Sequence, residues 1–398
     1  MAVASQPVRV AVASCSFDAD LVDPEALLER YHAMTGWAEA VAGAGADAVT
    51  VVQRFGRDAV LRRRAVEYRF VADGADGAPP GHFVGARVAR VIGGLGPDVV
   101  HVDGLVFPAV VGCLRLRLPR RTAIVVQDHG GVRLPWRGLG RTANRLLYGL
   151  GLGTADGFFF TADAQAQPWR EAGVIRERHA VYEVPESSTD MASWPAAAAD
   201  GALPGDPAIL WVARLDDNKD PLTILDGFAG AAAALPRATL TLVYGDDVLL
   251  PAVQTWIDAR PELKARIHLR GRVARAALPA CYRSADLFVI GSHREVACFA
   301  LIEALSFGVT PVVTDIPAFR AITAGGRIGA LFPPGDTRTL ARAIETAGNG
   351  DRAARRASVR AHFERELSWA AVGRRALDAY RSAAAARRSY YGRRGRRR

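Results

Sequence analysis

Short apolar runs and longer amphipathic stretches follow one another along this chain. The runs at 8–14, 48–53 and 99–102 are rich in β-branched residues, which is typical of buried strands. Between them lie segments with helical spacing of apolar residues, such as 24–43. Strands that alternate with helices predict right-handed βαβ units and a mostly parallel sheet.

This alternation is interrupted once, by a segment at 187–204 that is rich in Ser, Asp, Ala, Pro and Gly and predicts a linker. A second series of strands and helices then begins with the apolar run 208–213. A chain of 398 residues is too long for one ordinary core. We therefore predict an α/β protein with two doubly wound, Rossmann-like domains, at 1–190 and 205–367, that face an interdomain cleft. Ligands are expected at the carboxyl ends of both sheets.

The last part of the chain predicts an amphipathic helix at 368–387, followed by a basic, disordered tail at 388–398. Seven arginines within 387–398 account for seven of the ten net positive charges, which leaves +3 on the rest of the protein. Such a tail is either solvated or attracted to an anionic membrane. The attraction contributes ~1 kcal/mol of binding free energy per basic residue near the surface. No basic surface interleaved with aromatic residues accompanies it, so no specific nucleic-acid partner is expected.

Cysteine usage and hydropathy indicate the cellular compartment in which the protein is expected. The four cysteines show no CxxC spacing, which argues against a zinc site or a disulfide framework and favours a reducing environment. No basic segment with a long apolar run precedes the first predicted strand. The longest apolar stretch is broken by Asp156 and is shorter than the ~20 residues that a spanning helix needs. We therefore expect a cytoplasmic protein. A peripheral position at the inner face of the membrane is the second option.

The most informative segment places a carboxylate inside an apolar helix. A short strand at 287–290 and a polar break precede an apolar helix predicted at 297–307. Glu303 lies within this helix, and Glu295 lies at its entrance. Because burial of an unpaired carboxylate is costly, Glu303 requires a partner. That partner is either an arginine or a ligand hydroxyl. The second option fits a ligand whose diphosphate binds the free amides at the helix N-terminus, which form an anion site, and whose ribose reaches Glu303.

A second polar cluster follows the predicted strand 208–213. Arg214 ends that strand, and Lys219 precedes Asp220 and Pro221, which form a helix start signal. The two cations thus emerge beside the carboxyl end of a strand and a helix N-terminus, where an anion is stabilised. By itself this spacing is also that of two ordinary surface cations.

Considered together, the E-x7-E motif (Glu295 and Glu303) and the R-x4-K pair (Arg214 and Lys219) resemble those of retaining glycosyltransferases of the GT-B fold, family 4-like. The resemblance implies a retaining, metal-independent hexosyltransferase. Its donor would be a UDP-, GDP- or ADP-linked sugar, and its acceptor a glycan, lipid or small molecule that the sequence does not identify. It also implies that the C-terminal helix crosses back to the first domain, and that neither a metal nor another cofactor is used.

The resemblance also implies residue roles. Arg214 and Lys219 would hold the diphosphate, Glu303 the ribose, and Glu295 the hydroxyls of the donor sugar. His129 would contact the sugar from the first domain, with the adjacent Asp128 placed to orient or charge it. Further donor-binding positions are Gly245, Arg272 and Val273, and the backbone at Ala297, Cys298 and Phe299. Of these, Glu295, His129, Arg214 and Lys219 form the predicted catalytic set.

Three departures from the family pattern leave alternatives open. Cys298 occupies a position where the family usually has glycine, the first loop lacks Gly-Gly, and Glu186-Ser187 replaces the frequent Asn-Gly. One alternative is a non-hydrolysing nucleotide-sugar 2-epimerase, which shares the architecture. Another is a catalytically weakened glycosyltransferase-like subunit that binds a partner or a membrane.

Overall fold

The computed structural model describes residues 7–72, 85–130, 140–195 and 202–395. The chain divides into two compact units, the first comprising Met1–Ser187 with Trp369–Arg398 and the second Ser188–Ser368. Each unit is built around its own sheet with helices packed against it. Among the described residues, no helix is both long enough and apolar enough to cross a bilayer.

The bounds of the elements are as follows. The strands are β1 Arg9–Ser14, β2 Ala48–Phe55, β3 Ala59–Arg63, β4 Val66–Ala72, β5 Val99–Asp103, β6 Ala123–Gln127, β7 Gly157–Phe160, β8 Ala180–Glu183, β9 Ala208–Ala213, β10 Thr239–Tyr244, β11 Ile267–Gly271, β12 Leu287–Ile290, β13 Thr310–Thr314 and β14 Ala330–Phe332. The helices are α1 Pro24–Arg30, α2 His32–Gly43, α3 Ala86–Leu95, α4 Pro108–Arg117, α5 Gly140–Gly151, α6 Gln167–Glu171, α7 Pro221–Ala231, α8 Leu250–Asp258, α9 Pro261–Lys264, α10 Leu278–Ser284, α11 Phe299–Ser306, α12 Pro317–Ile322, α13 Thr337–Gly348, α14 Arg352–His362 and α15 Trp369–Gly395.

In the described part of the first unit, eight strands form one sheet in the order β3-β4-β2-β1-β5-β6-β7-β8. All neighbouring strands are parallel except β3 and β4, which form an antiparallel hairpin. This hairpin is absent from the sequence prediction. Its outer strand β3 lies at the sheet edge and carries Arg62 and Arg63, which obscure the apolar pattern of a strand. The strand order reverses between β1 and β5, and this reversal point is where doubly wound sheets bind ligands.

Helix α15 packs against α2 within the first unit. The two backbones approach closely at Gly373, where a Cβ atom would lie 2.2 Å from the Ala40 carbonyl oxygen. Helix α15 also continues to Gly395, beyond the predicted helix end at Arg387 and into the segment that the sequence predicts as a tail. Alanine and arginine favour helix, and Arg387 is fixed by bonds to Asp156 (2.8 Å) and to the Arg120 carbonyl (2.7 Å). Residues 396–398 lie outside the described ranges.

The second unit contains a parallel sheet in the order β11-β10-β9-β12-β13-β14. Strands β9 and β12 are neighbours, and the strand order reverses between them. Both are almost completely buried because helices cover the two faces of the sheet, which explains their near-continuous apolar sequences. The loops that follow β9 and β12 therefore meet at the edge where the sequence placed its candidate site.

Candidate functional site

The loops after β9 and β12 are joined by an ion pair between Lys219 and Glu295. Both side chains are about nine-tenths buried, with exposed fractions of 13% and 11%. Burial alone would lower the pKa of Lys219, but its neighbours Cys298 and Glu295 outweigh burial and raise that pKa. Lys219 therefore carries a positive charge that is fixed in place rather than freely solvated.

Local sequence determines where Lys219 points. Asp220 caps α7 by accepting a hydrogen bond from the Thr223 amide (3.2 Å), as predicted from Asp220 and Pro221. Asp216 accepts a bond from the Lys219 amide (3.0 Å), which closes the turn that precedes the helix. At Gly291 a Cβ atom would lie 3.0 Å from the Asp220 carbonyl oxygen, so glycine allows the β12 loop to approach this turn closely.

Arg214 lies at the end of the same strand but is much more exposed. Its guanidinium is 3.1 Å from the Asp216 carboxylate, and 59% of its side chain is accessible. Exposed ion pairs of this kind contribute ~0–1 kcal/mol, so an incoming anion competes readily for the arginine. The predicted pair of cations thus consists of one buried, fixed charge and one exposed charge.

Glu303 is buried in α11 and already has two protein partners. Its Oε1 lies 3.3 Å from Arg275, and its Oε2 accepts a hydrogen bond from Tyr282 (2.9 Å). Burial raises the pKa of Glu303, although Arg275 and Tyr282 oppose that shift. Of the two partners inferred from the sequence, the structure contains the arginine. That arginine is 44% exposed, so it bonds Glu303 from the solvent side rather than from the core.

The entrance of α11 differs slightly from the prediction. The helix begins at Phe299 rather than at Ala297, and Cys298 precedes it with an extended backbone. Ala297 and Cys298 are buried, whereas Phe299 is partly exposed. Burial, with a contribution from the Glu295 charge, raises the pKa of the Cys298 thiol to about 12. At neutral pH Cys298 is therefore an uncharged group packed beside Lys219 and Glu295.

The remaining positions predicted in the second unit lie near the ends of β10 and β11. Arg272 donates a hydrogen bond to the Gly245 carbonyl (3.0 Å), which connects the two strand ends. The Arg272 side chain is exposed, and Val273 packs partly against the core. The structure thus places these residues along the same edge of the sheet as Arg214 and Lys219.

In the first unit, His129 lies between two carboxylates. Its Nε2 is 2.6 Å from Asp103 Oδ1, and its Nδ1 is 3.4 Å from Glu186 Oε2. Burial opposes protonation, but Asp103 and then Glu186 outweigh it, so the pKa of His129 is raised well above its usual value. Asp128 was predicted to orient or charge His129. Its carboxylate accepts a bond from the Gly130 amide (3.0 Å), and burial raises its pKa, although that bond and the nearby His129 oppose the shift.

Sequence reasoning missed Asp103, Tyr282 and Arg275 as members of these clusters. Asp103 ends β5 as His129 follows β6, and β5 and β6 are neighbouring parallel strands. The signal that could have identified Asp103 is therefore its position, because it is a polar residue at the end of the strand next to the one that His129 follows. Arg275 and Tyr282 follow β11, which is not adjacent to β12, so no strand pairing places them beside Glu303.

Comparisons with known proteins point to one class of enzyme. Residues 196–362 match the family model described as "Glycosyl transferases group 1". The chain is 36% identical over 132 residues to mannosylfructose-phosphate synthase from Agrobacterium fabrum, a match that covers 31% of this chain and 28% of that protein. It is 28% identical over 182 residues to phosphatidyl-myo-inositol mannosyltransferase from Mycobacterium leprae, covering 44% and 46% of the two chains. In these matches the chain spans less than half the length of the curated relatives.

Solved structures align with most of the length of the chain. Sucrose-phosphate synthase from Thermosynechococcus elongatus aligns over 95% of this chain and 100% of its own, with a TM-score of 0.65 and 19% identity. Trehalose-6-phosphate synthase from E. coli, bound with UDP-2-fluoro glucose, aligns over 94% and 97% with a TM-score of 0.60 and 13% identity. The predicted α/β class with two Rossmann-like, parallel-sheet domains of the GT-B type is confirmed. The match to the group 1 glycosyltransferase model lies within the second unit.

Proposed function

We propose that this protein is a retaining, metal-independent glycosyltransferase that moves a hexose from a UDP-, GDP- or ADP-linked donor to an acceptor. The observation that carries the proposal is the convergence of Arg214, Lys219 and Glu295 at the point where the strand order reverses between β9 and β12. Doubly wound sheets bind nucleotides at this position. The group 1 glycosyltransferase match covers the same unit.

In this proposal the two cations bind the diphosphate and stabilise the charge that develops as it departs. Arg214 exchanges its exposed contact with Asp216 for a phosphate oxygen, while Lys219 contributes a charge already held by Glu295. Such preorganised groups stabilise a transition state without reorganisation at the moment of reaction. Two cations in this position fill the role that a metal would otherwise have, so no cofactor is included in the proposal.

The remaining roles are assigned by the same hypothesis. Glu303 binds the ribose with the lone pairs that Arg275 and Tyr282 leave, or after Arg275 moves into solvent. Glu295 binds hydroxyls of the donor sugar, and His129 contacts the sugar as well. The backbone at Arg272 and Val273 meets the nucleobase, and Gly245 contributes to the same donor-binding edge. The backbone at Ala297, Cys298 and Phe299 borders the diphosphate. Contact of the basic C-terminal segment with an anionic membrane also belongs to the proposal.

Binding and turnover test this function directly. Titration of the full chain with UDP-glucose, GDP-mannose and ADP-glucose should show saturable binding of at least one donor without added metal. Nuclear magnetic resonance of the product should then show that the anomeric configuration of the donor is retained. Conversion of a donor without acceptor would identify a 2-epimerase instead. Failure of every donor to bind would favour a weakened partner subunit and contradict the proposal.

A further inference from the structure

One end of the first unit exposes apolar side chains among arginines. Helix α4 ends at Arg117, and every residue of the segment 116–121 except Leu118 is exposed. Leu116 is the most exposed large apolar side chain in the described structure, with 86% of its surface accessible. A single exposed leucine is ordinary at a protein surface, so the groups around it decide what it indicates.

The end of helix α15 lies beside this segment. Arg387 of α15 donates to the Arg120 carbonyl (2.7 Å) and also bonds the Asp156 carboxylate (2.8 Å). The same carboxylate accepts from Arg115 of α4 (2.8 Å), so one buried acid joins the two helices. One turn beyond this contact, Tyr390 is 49% exposed. Residues 116–121 and 387–391 therefore form one surface, which we call the basic surface.

The basic surface carries an excess of positive charge. Its fully exposed arginines form no ion pair with any residue that the structure describes, and they are Arg117, Arg120 and Arg121. Asp156 is already shared by two arginines, and the segments 104–127 and 379–398 contain no Asp or Glu. The second of these segments contains eight arginines. The countercharge for this surface must therefore come from outside its own segments.

We propose that the basic surface docks the protein on an anionic lipid bilayer, with its arginines at the lipid phosphates and with Leu116 and Tyr390 inserted between the headgroups. A bilayer of this kind presents negative charge directly above apolar acyl chains, which matches exposed arginines that surround exposed apolar side chains. Nucleic acids also attract arginines, but their phosphates border no apolar layer that would cover Leu116. The docking adds α4 to the membrane contact included in the proposed function, and it does not require that the protein transfers a sugar.

Vesicles of two compositions test the docking. The full chain is sedimented with vesicles of phosphatidylcholine alone and with vesicles that also contain phosphatidylglycerol, an anionic lipid. Binding to the anionic vesicles should be about a hundredfold tighter, because each basic residue near the surface contributes about fivefold, and it should weaken as salt is added. Equal binding to both kinds of vesicle, or no binding to the anionic ones, overturns the proposal.

Two sets of three substitutions locate the contact. The first set neutralises the basic surface with Arg117→Gln, Arg120→Gln and Arg121→Gln, and it should weaken binding to anionic vesicles about a hundredfold. The control set removes the same charge from exposed arginines elsewhere, with Arg57→Gln, Arg90→Gln and Arg338→Gln. An equal loss in both sets would show a response to net charge alone. Unchanged binding of the first set would show that the C-terminal segment binds without α4. Either result refutes the basic surface.

The apolar part of the contact needs its own pair of variants. Leu116→Ser should weaken binding to anionic vesicles about tenfold, because a leucine is no longer transferred out of water. Val22→Ser is the control, since Val22 is 75% exposed in the same unit, and its vesicle affinity should not change. Unchanged affinity of Leu116→Ser overturns the insertion. Tighter binding of the unaltered protein to duplex DNA than to anionic vesicles, at equal phosphate concentration, would identify a nucleic acid as the partner and refute the bilayer.

Discussion

Lys219 and Glu295 form a buried ion pair although 76 positions separate them in the sequence. The pair joins the loop after β9 to the loop after β12, two neighbouring strands at which the strand order reverses. Its two charges come from both of the motifs that the sequence singled out. The pair therefore combines a structural role, which holds two loops together, with a position suited to binding an anion.

Removal of one charge from this pair should destabilise the second unit. Lys219→Met leaves the Glu295 carboxylate buried without its cation, which we expect to cost about 3 kcal/mol of unfolding free energy. Chemical denaturation measures this cost. The double variant Lys219→Met with Glu295→Gln should recover most of the loss, because no unpaired charge remains. A single variant as stable as the unaltered protein would contradict the structural role.

Arg214 should matter for turnover far more than for stability. Its ion pair is exposed, so Arg214→Met should change the unfolding free energy by less than about 1 kcal/mol. Loss of an electrostatic contact to the departing diphosphate should lower kcat by about a hundredfold. Arg237→Met is the matched control, since it removes another exposed arginine that pairs with an aspartate in the same unit. Equal activity of both variants would exclude Arg214 from the reaction.

The ribose role of Glu303 can be separated from its contact with Arg275. Glu303→Gln should weaken the binding of the nucleoside diphosphate about tenfold, the scale of one bond to a charged group. Arg275→Ala should leave that affinity unchanged or increase it, because the arginine and the ribose share one carboxylate. Calorimetric titration of both variants provides the measurement. Full nucleotide affinity in Glu303→Gln would show that this carboxylate is only a structural partner of Arg275 and Tyr282.

The charges around His129 predict a specific pH dependence. Folding raises the pKa of His129 and lowers that of Asp103, where burial alone would do the opposite. The stabilisation from His129 is complete below its unfolded pKa of ~6.5 and is lost as pH rises through the higher folded value. The contribution of Asp103 is present above an unfolded pKa of ~3.9 and is lost as pH falls through its lowered folded value.

The difference in unfolding free energy between the unaltered protein and His129→Gln should therefore be largest from about pH 5 to 6.5 and decline toward alkaline pH. Denaturation at a series of pH values measures this difference. Asp128→Asn serves as the comparison for the neighbouring carboxylate, whose hydrogen bond is to the Gly130 amide rather than to the ring. If this difference in unfolding free energy increased with pH, it would contradict the assignment of His129 as a protonated imidazole held between Asp103 and Glu186.

Tyr380 should hold α15 against the rest of the first unit. Its hydroxyl accepts from Trp37 and donates to His101, so Tyr380→Phe leaves two buried polar groups without a partner. We expect a loss of about 2 kcal/mol in unfolding free energy. Tyr390→Phe, on an exposed part of the same helix, should stay within about 0.5 kcal/mol. A loss that is equally small for Tyr380→Phe would contradict the anchoring role.

The sequence by itself determined the succession of strands and helices in both units apart from the β3–β4 hairpin, as well as the start of α7 at Asp220 and Pro221. These features follow from local spacing, capping and apolar periodicity, which depend on residues close together in the chain. It also selected Arg214, Lys219, Glu295 and Glu303 as polar residues at strand ends and in a buried helix.

Only the tertiary structure decided which of these groups meet. Lys219 pairs with Glu295 because β9 and β12 are neighbours, and His129 contacts Asp103 and Glu186 rather than the adjacent Asp128. Side-chain partners across a sheet depend on the order of its strands and on how their loops pack. Neither is encoded in the spacing of residues along one segment, so the charge of each cluster became known only from the fold.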